Sequence, residues 1–340
     1  THSWKEELAG FRQSVVLHGQ RVDWLGQRCG ERLWTHLIYM AAVSTVRAAV
    51  DFIGIGAPRS GTSWLANVLR AHPDVCLSDP KEVRYFNEHL IPVGAKRGKS
   101  NPNFSQSLDW YESHFVHART HQIRGEFTPI YLCDETAPRI IHRHLPDVRL
   151  IVSLRNPIDR AYSHFWQHRR WGVHAITSFE EAVAQSLGYL EMSLYAAQLK
   201  RYLAYFSPQQ IFVTIFEELV SSAASELERL YGFLGIAPNP DADLAKLDRN
   251  PSLSVRSNTL KKAARAVSQR LSGAGLGGLQ HGLRQLNIDR LWHALMSKPQ
   301  KNPPLSENTR RQLQPRFADD VAELETILGR DLSVWGIEKS

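Results

Sequence analysis

Cysteine is scarce in this 340-residue chain: there are three, Cys29, Cys76 and Cys133. An odd, widely spaced set makes no disulfide framework, and no Cys-x-x-Cys pair is present to begin a structural zinc site. Buried thiols in a reducing compartment are the expectation, and with them a cytoplasmic location. No secretory signal is readable at the start. The chain begins at Thr1 rather than Met, so an upstream anchor or further domain is left open. Long apolar runs are missing too. The stretch 33–50 is interrupted by His36, Arg47 and threonines, so no membrane span is expected. The fifteen histidines show no metal-ligand spacing, and no Ser/His/Asp constellation is readable. Acidic charge is in deficit, 34 Asp+Glu against 41 Lys+Arg, for a formal net charge of +7 and a pI near 9.4. That balance suits an anionic partner. The basic residues are dispersed and no nucleic-acid motif appears, so nucleic acid is not the expected one. A hydrophobic content of 43% and mean hydropathy of −0.32 describe a globular chain with a large core, either one α/β domain with insertions or two domains.

What is present centres on Gly54-Ile55-Gly56-Ala57-Pro58-Arg59-Ser60-Gly61-Thr62-Ser63. An apolar run from Val50 to Ile55 reads as a buried strand. Trp64-Leu65-Ala66-Asn67-Val68-Leu69-Arg70 has apolar positions at helical spacing. A Gly-rich turn between strand and helix aims backbone N–H groups and the positive end of the helix dipole at one spot, where phosphate-like anions bind. Gly56 and Gly61 stand in P-loop register, but the Lys of Gly-x-x-x-x-Gly-Lys-Ser/Thr is absent, with Thr62 in its place. Arg59, inside the loop, is the cation instead. The cradle is there; the apparatus for a nucleoside triphosphate with magnesium is not.

Pro58-Arg59-Ser60-Gly61-Thr62-Ser63 resembles the 5′-phosphosulfate loop of sulfotransferases that use 3′-phosphoadenosine 5′-phosphosulfate (PAPS). A second match follows the buried strand Val148–Leu154: Arg155-Asn156-Pro157-Ile158-Asp159-Arg160-Ala161-Tyr162-Ser163 is similar to that family's 3′-phosphate site. Pro157 suits a first helical turn. The eight residues from Arg155 to Ser163 are a little over two turns, so Ser163 faces back toward the strand end. The resemblance, closest to the heparan sulfate and tyrosylprotein types, implies PAPS as cofactor, adenosine 3′,5′-bisphosphate as product, and a bacterial, cytoplasmic setting. It implies Arg59, Ser60, Gly61, Thr62, Ser63, Trp64, Arg155 and Ser163 as cofactor-binding residues, joined by Tyr195 and, in a late loop around Asn250–Ser257, Arg256.

The acceptor side is less determined. Pro80-Lys81-Glu82-Val83-Arg84-Tyr85-Phe86-Asn87 resembles the Lys-Glu-x-x-Phe-Phe segment of heparan sulfate-type enzymes, which makes Glu82 the catalytic base, with Arg59 as the catalytic cation. A surface Glu paired with Arg84 is the alternative. The family's His two residues after that Glu is Arg84 here. Arg124-Gly125-Glu126-Phe127-Thr128-Pro129-Ile130-Tyr131 resembles the family's Glu-Lys-Thr-Pro-x-Tyr segment, with Phe127 where the Lys would be. Leaving-group stabilisation then falls to Arg59, backbone N–H groups or a cation elsewhere. Glu126 and Tyr131 are either substrate-side or structural.

Along the chain, residues 1–48 read as an N-terminal helical segment, a candidate homodimer surface, and 49–340 as the main domain. The elements expected there are strand 50–56, helix 61–71, strand 75–77, strand 148–154, helix 157–170, strand 210–215, helix 221–234 and a last helix 307–328 closed by Gly329. Strands alternating with helices predict an α/β fold, a P-loop-like parallel sheet with helices on both faces and the ligand at the strands' carboxyl ends. Segment 94–106 reads as a polar surface loop and 272–282 as a glycine-rich one. The functional expectation is in-line sulfuryl transfer to a small-molecule, lipid or carbohydrate hydroxyl. A P-loop phosphotransferase and a non-catalytic nucleotide- or polyanion-binding module are the alternatives.

Overall fold

Val15-Val16-Leu17 opens with two β-branched residues, and it forms a strand, β1 (Val15–Leu17), paired antiparallel with β2 (Gln20–Val22), Leu17 opposite Gln20. Only His18-Gly19 lies between them, a spacing that suits a two-residue hairpin loop. This corrects the helical reading of 1–48 at these positions: local β-branching won over the apolar spacing. The computed structural model describes residues 50–89, 100–173, 175–239 and 302–338, with the short strands 15–17, 20–22, 253–255 and 297–299. Two units are distinguished, Thr1–Arg47 and Ala48–Ser340. The remainder of the N-terminal segment, with its candidate dimer surface, lies outside the described residues, as do 94–99, 272–282 and Arg256.

In the larger unit, β3 (Phe52–Gly56) leads to α1 (Thr62–Arg70) and β4 (Val75–Leu77). The short helix α2 (Leu108–Glu112) precedes β5 (Ile123–Phe127). Then come α3 (Ala137–His144), β6 (Arg149–Leu154), α4 (Pro157–Trp171), α5 (Phe179–Ala184), α6 (Tyr195–Leu203) and β7 (Ile211–Ile215). After β7 the chain forms α7 (Phe216–Ser221) and α8 (Ala223–Leu234). A short ladder joins β8 (Leu253–Val255) to β9 (Ser297–Pro299), and α9 (Glu307–Leu313) and α10 (Ala318–Leu328) follow. Two expected helices are thus each divided. Helix 221–234 is preceded by α7 with a break at Ser222, and 307–328 is interrupted at Pro315, which cannot donate to the helical ladder. Gly329 closes α10 at φ 59°, the left-handed cap expected of it.

The sheet is five-stranded and parallel throughout, in the order β4-β5-β3-β6-β7. Its two faces alternate along each strand. Phe52 and Ile151 face α1 and α8, while Ile53, Ile55, Leu150 and Val152 pack under α3, α4, α6 and α10. β5 has no apolar run to announce it. It is admitted to the sheet interior by interlocking: the register sets Phe52 opposite Gly125 and Gly54 opposite Phe127. Each ring lies over the facing glycine, where a Cβ would stand 2.2 Å from Phe52 at Gly125 and 2.0 Å from Phe127 at Gly54. Connections leave β3 toward one edge and β6 toward the other, so a crevice opens at the carboxyl ends of these two neighbours. Among the described residues no helix is long and apolar enough to cross a membrane.

Candidate functional site

Both anion motifs open from that crevice. The loop after β3 turns into α1 through Gly61, the helix N-cap, at φ 86°. Only a glycine takes that angle without cost, and an added Cβ would also press on Phe216 at 2.9 Å. Thr62 and Ser63 open the helix, so their N–H groups have no intrahelical acceptor and point outward. Arg59 is held at φ 71°, a region that costs a non-glycine residue about 1–2 kcal/mol. The loop after β6 begins at Arg155. Asn156 caps α4 by accepting from the N–H groups of Ile158 (3.0 Å) and Asp159 (3.2 Å).

The two loops are tied together although far apart in sequence. The Ala57 N–H donates to the Ser153 carbonyl at 2.8 Å, and the Ser153 hydroxyl donates to the Ser60 carbonyl. Arg59 Nε donates to Ser163 Oγ at 3.1 Å, and Arg155 Nη1 to the Arg59 carbonyl at 3.3 Å. Arg155 also lies over the Phe216 ring, 4.8 Å from its centroid. Burial, then the nearby guanidiniums of Arg170, Arg155 and Arg160, bring the Arg59 pKa down to about 10. Among the described residues neither Arg59 nor Arg155 pairs with a carboxylate. Concentrated positive charge without a counter-ion, beside orphan N–H donors, is what an anion site requires.

A cleft of about 220 Å³ joins Arg59, Thr62 and Ser63 to Lys81, Glu82 and Arg84. Arg84, also at positive φ (55°), donates to Glu82 Oε2 from Nε (3.2 Å) and Nη2 (2.7 Å). Glu82 Oε1 is 4.0 Å from Lys81 Nζ. The pairing with Arg84 and a place in the cleft therefore hold together. The far wall is one face of α4: His164, Gln167, His168 and Trp171. Their i, i+3, i+4, i+7 spacing was legible as a stripe, but nothing in the sequence said it would face the cleft.

The remaining expected residues fall around this cleft. Ser60 is fully buried, and Trp64 packs its half-buried ring against the apolar layer under α1. Tyr195 is buried, and its hydroxyl donates to the Arg155 carbonyl at 3.0 Å, so it reaches the site through that backbone. Glu126 is structural. It is fully buried and accepts from the Val83 N–H (3.2 Å), Thr128 Oγ1 (2.7 Å), Tyr111 OH (3.1 Å) and Tyr131 OH (3.2 Å). Tyr131 OH in turn accepts from the N–H groups of Tyr85 (2.7 Å) and Phe86 (3.2 Å). This polar knot shapes the 82–86 loop from below. Burial, against those four hydrogen bonds, raises the Glu126 pKa to about 7. The polar loop expected at 94–106 also contributes inward: Asn101 is buried, and its Nδ2 donates to the carbonyls of Arg84 and Asn87, each at 2.6 Å.

Comparison with known proteins fits this geometry. The family model of the sulfotransferase domain matches residues 50–270. Human heparan sulfate glucosamine 3-O-sulfotransferase 6 is 32% identical over 190 residues, 54% of this chain and 51% of its own length. Human bifunctional heparan sulfate N-deacetylase/N-sulfotransferase 2 is 28% identical over 209 residues, 55% of this chain and 22% of its own length. The chain thus spans about half the length, or less, of these curated relatives. A solved sulfotransferase from Alicyclobacillus acidocaldarius superposes with a TM-score of 0.57 at 25% identity, covering 84% of this chain and 98% of that one.

Proposed function

The chain belongs to the sulfotransferase family, and from that premise we propose that it transfers the sulfuryl group of PAPS to an acceptor hydroxyl, leaving adenosine 3′,5′-bisphosphate. The observation that carries this reading is the convergence of Arg59, Ser163 and Arg155, with no carboxylate to neutralise the two arginines among the described residues. The residues fit the cofactor. Arg59 and the N–H groups of the loop through Ser63 would hold its 5′ end, and Arg155 with Ser163 its 3′-phosphate. Tyr195 holds the Arg155 backbone in place. The cofactor supplies an activated sulfuryl group; the chain supplies alignment, charge stabilisation and a base. Glu82 takes the proton from the acceptor hydroxyl, while Arg84 fixes the carboxylate's orientation through Oε2. The relatives' names point to a glucosamine acceptor; for this chain the proposal is a carbohydrate, lipid or small-molecule hydroxyl.

Thermal shift separates this reading from its alternatives. Adenosine 3′,5′-bisphosphate should raise the Tm, with no response to ATP–magnesium or heparin. A response to ATP–magnesium alone would favour phosphoryl transfer, and one to heparin alone a polyanion-binding module. By calorimetry, Arg59→Ala and Arg155→Ala should each weaken adenosine bisphosphate binding by about 1.5–3 kcal/mol, the scale of a lost charge-assisted hydrogen bond. Unchanged affinity in both variants would remove the basis of the assignment.

A further inference from the structure

Phe127 occupies the place where the related heparan sulfate-type segment has a Lys, and among the described residues the cleft would otherwise lack an ammonium at that strand end. We propose that Lys81 is this cation, meeting the 5′-phosphate end of the cofactor and the charge that develops there during transfer. This rests on the sulfotransferase reading and adds a residue to it. Lys81 and Phe127 are direct neighbours: the Phe127 N–H donates to the Lys81 carbonyl at 3.2 Å. Ser78 Oγ donates to the same carbonyl, also at 3.2 Å, so the Lys81 backbone is held from two sides. The side chain then runs past the Phe127 ring, with Nζ 6.0 Å from its centroid, and donates to Ser63 Oγ at 3.1 Å. Ser63 lies in the first turn of α1, where the orphan N–H groups converge. Phe127 itself could not become the cation cheaply, because its ring fills the space over Gly54 and meets Phe52 edge-on at 6.3 Å.

The charges around Lys81 Nζ favour an anionic ligand. Glu82 Oε1, at 4.0 Å, is the nearby acid, and its other oxygen is gripped by Arg84. Arg70 on α1, Arg59 in the loop after β3, and His164 and His168 on α4 are the further titratable groups facing this region. Burial, partly offset by Glu82, brings the Lys81 pKa down to about 8. An ammonium so poorly hydrated acts strongly on a nearby developing anion. In the transfer step Glu82 accepts the acceptor proton as the new O–S bond forms. Lys81, staying protonated, stabilises the electron pair left on the 5′-phosphate oxygen when the old S–O bond breaks.

The test uses two probes, adenosine 3′,5′-bisphosphate and adenosine 3′-monophosphate, which lacks the 5′-phosphate. In Lys81→Met, affinity for the bisphosphate should fall roughly ten- to a hundredfold while that for the monophosphate stays constant. Lys81→Arg should retain most of the bisphosphate affinity. In the wild type that affinity should decline as pH rises through about 8, where the ammonium is lost, and in Lys81→Arg it should not. Equal affinities for the bisphosphate in wild type and Lys81→Met, or an equal loss for both probes, would overturn the assignment. A wild type that binds neither probe would overturn the sulfotransferase reading itself.

Discussion

At the scale of single residues, the cleft divides labour between groups of opposite charge. Among the described residues Arg59 gathers positive potential without a counter-ion, and Glu82 sits across from it, tethered by Arg84 yet open to the cleft. If Glu82 removes the acceptor proton, Glu82→Gln preserves shape and deletes the base. The transfer rate, followed with labelled PAPS and a panel of hydroxyl acceptors, should drop by roughly 10²–10⁴, the span usual for general base catalysis. Adenosine bisphosphate affinity should hardly change, since a neutral amide removes no ligand of the phosphates. Near-normal turnover in this variant would move the base to another residue, with His164 and His168 on the opposite wall the nearest candidates.

At the scale of elements, α4 starts beside the two anion motifs and forms the far wall of the cleft, so its start must be rigid. Asn156 contributes to this with both ends of its side chain. Its carboxamide oxygen caps two N–H groups, and its Nδ2 donates to the Trp335 carbonyl at 2.7 Å, pinning the C-terminal segment to the site. Asn156→Ala should lower unfolding free energy by about 1–2 kcal/mol, the cost of a lost N-cap, read from the urea midpoint. Asn156→Asp keeps the cap and gives up only the Trp335 bond, so it should fall between the two. Equal stability of wild type and Asn156→Ala would show that α4 is held by packing alone.

At the scale of the whole molecule, stability carries the imprint of Glu126, a carboxyl enclosed in the core beneath the 82–86 loop. Its folded pKa, about 7, lies above the ordinary value of 4.5. The folded protein therefore binds more protons than the unfolded chain between these values. This contribution is fully present below about pH 4.5 and is lost as pH rises through about 7, a change of about 3 kcal/mol. Asp320, raised to about 6, acts in the same sense over a lower window. Unfolding curves from pH 4.5 to 8 should slope downward more steeply in wild type than in Glu126→Gln. Parallel pH profiles would mean that Glu126 does not change its proton in this range.

The strand–turn–helix units at β3–α1 and β6–α4 were legible because their information is local. An apolar run, a Gly or Pro at the right offset and helical spacing define each unit without outside help, and their order implied a parallel sheet. β5 escaped notice because Arg124, Gly125 and Glu126 look wrong for a sheet interior. Only the facing Phe52 explains Gly125, and only four converging donors explain Glu126. The break at Pro315 was missed because the apolar stripe runs on across it, and the paired strands 15–17 and 20–22 were hidden under an apolar spacing that also suits a helix. Lys81 was visible as a letter beside Glu82 but not as a cation at the anion loop. That role depends on β4 and β5 lying side by side, which brings Lys81 against Phe127 and carries its ammonium to Ser63. Sequence alone determined which segments could bind an anion, since loop chemistry is set by adjacent residues. Which charges share one cleft was decided by sheet order, because strand pairing joins residues that the chain keeps far apart.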